Sequence, residues 1–145
     1  MSAGRICIRE VDVAEVNESV QTAAQRMNSR NVGTLVVLDK EKRPVGMLTD
    51  RDLAVRVLAK ASDPIQTTVS EVMTQSLRTV SENTPIEDAL RAMRLGRCRR
   101  LPVVDSTGKL VGLLSVDDIM DLLISEFRDI GVLLREETPH SLAND

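Results

Sequence analysis

Residues 20–58 and 86–124 are two copies of one pattern, 66 residues apart and alignable without a gap. Paired positions include Ala23/Ala89, Met27/Met93, Leu35/Leu101, Val37/Val103, Asp39/Asp105, Val45/Val111 and Leu48/Leu114. A duplication constrains the fold more tightly than any total, because what one copy builds the other must also build. Its sharpest stretch is Gly46-Met47-Leu48-Thr49-Asp50-Arg51-Asp52-Leu53, echoed by Gly112-Leu113-Leu114-Ser115-Val116-Asp117-Asp118-Ile119. Each runs from a glycine through two apolar residues to a hydroxyl, with a carboxylate three positions later.

The hydrophobic spacing gives each copy its elements. Val20, Ala23, Ala24 and Met27 recur at i, i+3, i+4 and i+7, which predicts a helix over about 19–30. Strands follow at 34–38 and 45–48, split by the polar run 39–44, and then a helix over about 50–59 with Leu53, Ala54, Val57 and Leu58 inward. The second copy predicts a strand near 77–80, a helix over about 85–95, strands at 101–104 and 110–114, and a helix from about 116. Its stripe of Ile119, Leu122, Leu123, Phe127 and Ile130 outruns that of the first copy. Ile6, Ile8, Val11 and Val13 alternate as in an extended arm, and residues 69–73 suit one or two helical turns. The reading is α/β (α+β): two β-α-β-β-α units, packed sheet to sheet as a pseudo-twofold pair. The expected boundaries are repeat 1 at 8–60, a connector at 61–70, repeat 2 at 71–130 and a polar C-terminal tail at 131–145.

Composition narrows the function. With one Phe and no Trp or Tyr in 145 residues, the chain lacks aromatic platforms for stacking bases, and its net charge of −3 gives no footprint for nucleic acid or anionic membrane. No apolar run approaches the roughly 18 residues a membrane span needs, and the N-terminus lacks a signal-like apolar segment. A cytoplasmic protein with no nucleic-acid or membrane partner is expected. Cys7, Cys98 and His140 offer no metal-ligand spacing, so no metal site is expected. A body without histidine, nucleophile elbow or Walker loop gives no catalytic residues.

The Gly-x-x-Thr/Ser-x-x-Asp pattern has two readings. Thr49-x-x-Asp52 and Ser115-x-x-Asp118 fit capping boxes, in which hydroxyl and carboxylate satisfy the first amides of a helix. Thr84-Pro85-Ile86-Glu87 has the same form, with no reason to do more than cap. The same strand-to-helix turn could instead hold a phosphate on its free N–H groups and hydroxyl, with the carboxylate on a ribose.

Those motifs, with Val69-Ser70-Glu71-Val72-Met73-Thr74 and Arg99-Arg100-Leu101-Pro102-Val103-Val104-Asp105, resemble the cystathionine-β-synthase (CBS) domain over about residues 8–127. Two copies in one chain resemble the tandem arrangement called a Bateman module. The resemblance implies adenine-nucleotide binding in clefts between the two sheets. Asp52 and Asp118 would bind ribose, and Thr49, Ser115, Arg99 and Arg100 would meet phosphate. Adenine would lie near Val11, Val13, Thr34 and Leu35 in one site and Thr79, Val80, Leu101 and Pro102 in the other. Two departures weaken the adenine end of the first site: a shorter approach to its first helix, and Val36 where the second repeat has Pro102.

The implied protein is a non-catalytic regulatory or energy-sensing module for AMP, ADP or ATP. It has no covalent cofactor, and Mg²⁺ could accompany the phosphates through Asp50, Asp52, Asp117 and Asp118. Such modules associate as homodimers through their helices, and output would pass in trans to a protein effector. The alternatives are a sensor of S-adenosylmethionine or another adenosyl ligand, or a ligand-free dimerisation module.

Overall fold

The computed structural model describes residues 1–75 and 77–137; His140 and residues 138–145 of the expected tail lie outside them. Each repeat is a three-stranded sheet with helices on one face. In the first, β1 (Val13–Glu15) runs parallel to β2 (Thr34–Leu38), which pairs antiparallel with β3 (Pro44–Thr49). In the second, β4 (Val80–Ser81), β5 (Arg100–Val104) and β6 (Leu110–Ser115) repeat that order. The crossovers are α2 (Val20–Arg30) and α5 (Ile86–Gly96). After β3 comes α3 (Asp50–Leu53), which runs into a π turn at Ala54–Leu58; after β6 comes α6 (Val116–Glu136). The mixed α/β architecture of two sheets with helices is the one expected. Residues 131–136, placed with the polar tail in the sequence reading, continue α6.

Each sheet covers its own core. Ala14, Leu35, Val37 and Leu48 meet Val20, Ala23 and Met27 of α2 in the first. Val80, Leu101, Val103 and Leu114 meet Ile86, Ala89 and Met93 of α5 in the second. With one aromatic in the whole chain, interlocked aliphatic side chains fill both.

The N-terminal arm departs from expectation. Ala3–Ile6 forms a helical turn, α1, and extended pairing resumes only as a single bridge from Ile8 to Leu113. Tertiary contacts override the alternation. Ala3 N–H donates to Thr84 O (2.8 Å), Gly4 N–H to Glu82 O (2.9 Å) and Ile86 N–H to Met1 O (3.2 Å), all in the second repeat. Ala3, Ile6 and Cys7 join the second core. The matching turn 66 residues on, α4 (Val69–Val72), docks on the first repeat, where Val69 N–H donates to Glu18 O and Met47 exchanges both backbone bonds with Thr74. Helix α1 therefore precedes the first repeat in sequence but packs on the second.

This docking explains the glycine of each motif. A Cβ on Gly112 would run into Cys7 Sγ and sit 2.9 Å from Ile8 O; one on Gly46 would sit 2.6 Å from Met73 Sδ and 2.9 Å from Thr74 O. Backbone does not yield as a flexible side chain does. Gly112→Ala and Gly46→Ala should each cost about 1–3 kcal/mol by overpacking, read as a lower urea midpoint; unchanged midpoints would contradict the close approach.

Two local expectations are corrected. Leu58, expected on the inner face, is 80% exposed. The π turn sets the donor five positions after the acceptor (Ala59 N–H to Ala54 O, 2.9 Å) and so rotates the end of the helix. Thr84 caps nothing: α5 starts after Pro85 without a side-chain cap, and its first amide goes to Met1 O. At α4, Thr68 N–H donates to Glu71 Oε2 (2.8 Å), a contact the sequence reading missed.

Candidate functional site

Both motif turns are closed capping boxes. Asp52 N–H donates to Thr49 Oγ1 (3.1 Å), and Thr49 N–H to Asp52 Oδ2 (2.9 Å). Asp118 N–H donates to Ser115 Oγ (3.1 Å), and Ser115 N–H and Oγ–H both donate to Asp118 Oδ2 (2.8 Å each). The capping reading is thus realised, yet it consumes only one oxygen of each carboxylate.

The remaining oxygens differ. Asp52 Oδ1 lies 3.9 Å from Arg56 Nε, while Nη1 of the same guanidinium donates to Val72 O (2.8 Å) and Met73 O (3.2 Å) at the end of α4. The position of Arg56 corresponds to Leu122 in the second repeat, so Asp118 has no such cation. Among the described residues, no hydrogen bond or ion pair engages Asp118 Oδ1. Cys7 lies near enough that Asp118 is one of the smaller influences on its thiol, whose pKa burial raises.

Strand register decides which residues can reach a ligand. Thr34 pairs with Thr49, and Arg100 with Ser115. Alternation puts Thr34, Val36, Met47 and Thr49 on the face away from the first core, and Arg100, Pro102, Leu113 and Ser115 on the face away from the second. Val36 and Pro102 are buried although neither belongs to a core cluster, so they face the other repeat's sheet. Leu35, Leu101 and Val80 point the other way, into the cores, and their side chains cannot line an adenine pocket. Val13, paired with Val36, is on the same side of the sheet as Val36, away from the first core; Thr79 is exposed just before β4.

A cleft of about 400 Å³ opens between the repeats at these positions. Ile8, Val11, Gly33 and Thr34 line it with Arg100 and Leu113 from the second repeat, and Glu10 and Asp12 stand at its edge. Three of the expected residues, Val11, Thr34 and Arg100, therefore meet there. Thr49 and Ser115 are reached through their strand partners, and Asp50 N–H donates to Gly33 O (3.0 Å), which sets the first box against the cleft wall. The Arg100 side chain has no hydrogen bond or ion pair among the described residues, whereas Arg99 lies 3.4 Å from the exposed Asp117. Asp12 is held by Arg30 at 2.7 Å, which leaves Glu10 and Arg100 as the cleft's unpaired charges. Leu113 and Met47 were missed as candidates. Their signal was strand parity: Leu48 and Leu114 had to be core, so their neighbours Met47 and Leu113 had to face away.

The comparisons with known proteins fit this geometry. A family model described as the CBS domain matches residues 3–59 and 69–125. Hypoxic response protein 1 of Mycobacterium tuberculosis is 35% identical over 119 residues, covering 82% of this chain and 78% of that one. A crystal structure of Hypoxic Response Protein I with two coordinated zinc ions superposes with a TM-score of 0.75 at 31% identity, over 83% of this chain and 98% of that one. The CBS domain pair of protein MJ0100, in complex with 5-methylthioadenosine and S-adenosylmethionine, gives a TM-score of 0.74 at 26% identity, over 87% and 98% of the two chains. A CBS domain protein of Pyrobaculum aerophilum complexed with AMP gives 0.70 at 25% identity, over 81% and 89%. Five curated relatives of 30–40% identity are spanned over 62–78% of their own lengths. Among the described residues no group of three or more His, Cys, Asp or Glu could hold a metal ion, and no helix is long and apolar enough to cross a membrane.

Proposed function

Because the chain belongs to the CBS domain family as a tandem pair, we propose that it is a non-catalytic regulatory module that binds an adenosine compound in the cleft between its repeats. The observation that carries this is the cleft's construction. Strand register joins a mixed apolar and charged wall to two capping boxes, and the second leaves one oxygen of Asp118 without a partner among the described residues, while Asp52 Oδ1 stands 3.9 Å from Arg56. A ribose offers two adjacent hydroxyls, and that second oxygen is an acceptor for them. In this reading Thr49 and Ser115 meet the 5′ substituent, and backbone groups near Val11 and Thr34, which line the cleft, hold adenine. Leu35, Leu101 and Val80 support that pocket from behind.

Charge narrows the ligand. One unpaired guanidinium, Arg100, beside the unpaired Glu10 suits a monophosphate such as AMP better than the polyphosphate of ADP or ATP. Glu10 is also the observation behind a second reading, S-adenosylmethionine, whose amino acid and sulfonium are cationic. The working unit is a homodimer in the cytoplasm, and occupancy is passed in trans to a protein effector. A ligand does this by preferring one arrangement of the repeats over another.

A thermal-shift series with AMP, ADP, ATP, S-adenosylmethionine, 5-methylthioadenosine and GTP tests the proposal. At about a hundred times its dissociation constant a ligand adds about 2.7 kcal/mol, worth roughly 2–4 °C per kcal/mol at this size. A rise with adenosine compounds and none with GTP is expected; no rise with any of them at millimolar concentration overturns it. Arg100→Ala should weaken AMP by about tenfold, the loss of one charge-assisted contact. It should leave the phosphate-free 5-methylthioadenosine unchanged. Equal losses for both would remove Arg100 from the phosphate end.

A further inference from the structure

The two repeats build the same structural unit with opposite charge at one end. Residues 78–100 hold six arginines against three carboxylates, whereas the matching residues 12–34 hold two against three. The counterparts of Arg78, Arg94 and Arg97, 66 residues earlier, are Asp12, Asn28 and Asn31. The fold therefore requires no cation at these positions. In the first repeat Asp12 is held by Arg30 at 2.7 Å. The second has Arg78 and Gly96 in their places, and a Cβ on Gly96 would sit 2.7 Å from Arg78 Cδ, so the arginine stem lies across the glycine. An ion pair has given way to a free cation. Arg97 caps α5 at φ 50, where the first repeat uses Asn31 at φ 54. Asparagine suits that left-handed backbone, and arginine brings it no local advantage.

These side chains gather round one hollow. It measures about 280 Å³, with Leu90, Met93, Cys98 and Val116 as its apolar lining and Arg94, Arg97 and Arg99 sharing its wall. Arg91 is paired with Asp88 and Arg99 with Asp117. The side chains of Arg78, Arg94 and Arg97 have no hydrogen bond or ion pair among the described residues, and all three residues are exposed. One basic residue in the last turn answers a helix dipole, as Arg30 does for α2. Three unpaired guanidiniums exceed that need and repel one another, which a facing anion relieves.

The lining selects the anion. A single-stranded nucleic acid calls for aromatic faces beside the cations, and the chain's one aromatic residue, Phe127, is not among the residues of this hollow. An apolar floor within a cationic rim fits a protein segment whose apolar side chain is flanked by Asp or Glu, the carboxylates held two-pronged by guanidiniums. We propose that this arginine-rimmed hollow at the end of α5 is the docking surface for an acidic segment of the partner protein, one apolar side chain of which enters it. The proposal rests on the effector part of the proposed function and is independent of which adenosine compound binds. Val116 directly follows Ser115, so a docked segment touches the turn that carries Asp118.

Fluorescence anisotropy of the full chain with a labelled peptide of repeating Asp-Glu-Leu tests it. Saturable binding that weakens with added salt is expected. Arg94→Asn with Arg97→Asn gives the second repeat the residues of the first, so melting temperature and affinity for AMP should hold. Peptide affinity should fall by about tenfold or more, the worth of one charge-assisted contact. Exchanging leucine for serine in the peptide should weaken binding to the wild type as well. A peptide that fails to saturate at millimolar concentration, or that binds equally after either change, overturns the docking surface. So does tighter binding of an oligothymidylate of equal charge, which gives the arginines to nucleic acid. A changed sedimentation coefficient in the double variant overturns it too, by giving them to a second copy. Repeating the titration at saturating AMP tests the relay separately: an unchanged peptide affinity overturns the passage of occupancy to an effector and leaves the docking surface standing.

Discussion

Leu101→Ala should cost the fold about 2–5 kcal/mol and leave the affinity of the surviving folded chain for an adenosine ligand unchanged. Leu101 has no exposed surface and lies at the middle of the second core, among Ala3, Val80, Ile86, Ala89, Met93, Leu114 and Ile119. Removing its isobutyl group leaves a hole that β5, paired on both sides, cannot close. Against a typical total of about 5–15 kcal/mol, this is the largest single loss expected here; Leu35→Ala in the first repeat should match it. The contrast is Leu113→Ala. Leu113 borders the cleft, so its truncation should lower ligand affinity more than stability. Urea unfolding and calorimetric titration on the two variants separate core from cleft. A Leu101→Ala chain that folds normally but no longer binds would contradict the assignment of strand faces.

Asp118→Asn should weaken adenosine-ligand binding by about 10–100-fold, the worth of a hydrogen bond to a charged acceptor, with little change in melting temperature. The amide oxygen can still accept from Ser115 N–H, so the cap persists, but an NH₂ replaces the oxygen left over for a ribose. Truncation by Asp118→Ala would mix the two roles, because losing a cap alone costs about 0.5–2 kcal/mol. Asp52→Asn should have the smaller effect on binding, since Arg56 already stands by Asp52 Oδ1 and ties that turn to α4. Titration calorimetry on both variants reads the difference. If neither changes affinity, both carboxylates are helix caps and nothing more.

Much of this was written in local chemistry. The duplication, the four longer strands β2, β3, β5 and β6, the crossover helices and both capping boxes follow from spacing and from hydroxyl–carboxylate pairs three residues apart, which act within one turn; the strand expected near 77–80 shrinks to Val80–Ser81. The start of α6 was equally plain. Strand faces were harder. Leu35-Val36-Val37 is apolar throughout because one side meets a core and the other meets the opposing sheet, so alternation is silent where both faces are buried. That is why Leu35 and Leu101 were read as ligand contacts; Met47 and Leu113, beside the core residues Leu48 and Leu114, were legible from strand parity alone. The docking of α1 was hidden for another reason: Ala3 and Gly4 are small rather than patterned, and only their fit against Glu82 and Thr84 makes them helical. The π turn and the missing cap at Thr84 depend likewise on contacts from elsewhere in the chain.

The most direct test of the central claim is a backbone-amide NMR titration of the full chain with AMP, repeated with S-adenosylmethionine. Binding in the cleft should move the amides of Gly33, Thr34 and Arg100 together with those of Ser115 and Asp118, and leave α2 and the exposed end of α6 in place. Saturation without those shifts, or no shift anywhere at millimolar ligand, would contradict the account and leave the two boxes as helix caps.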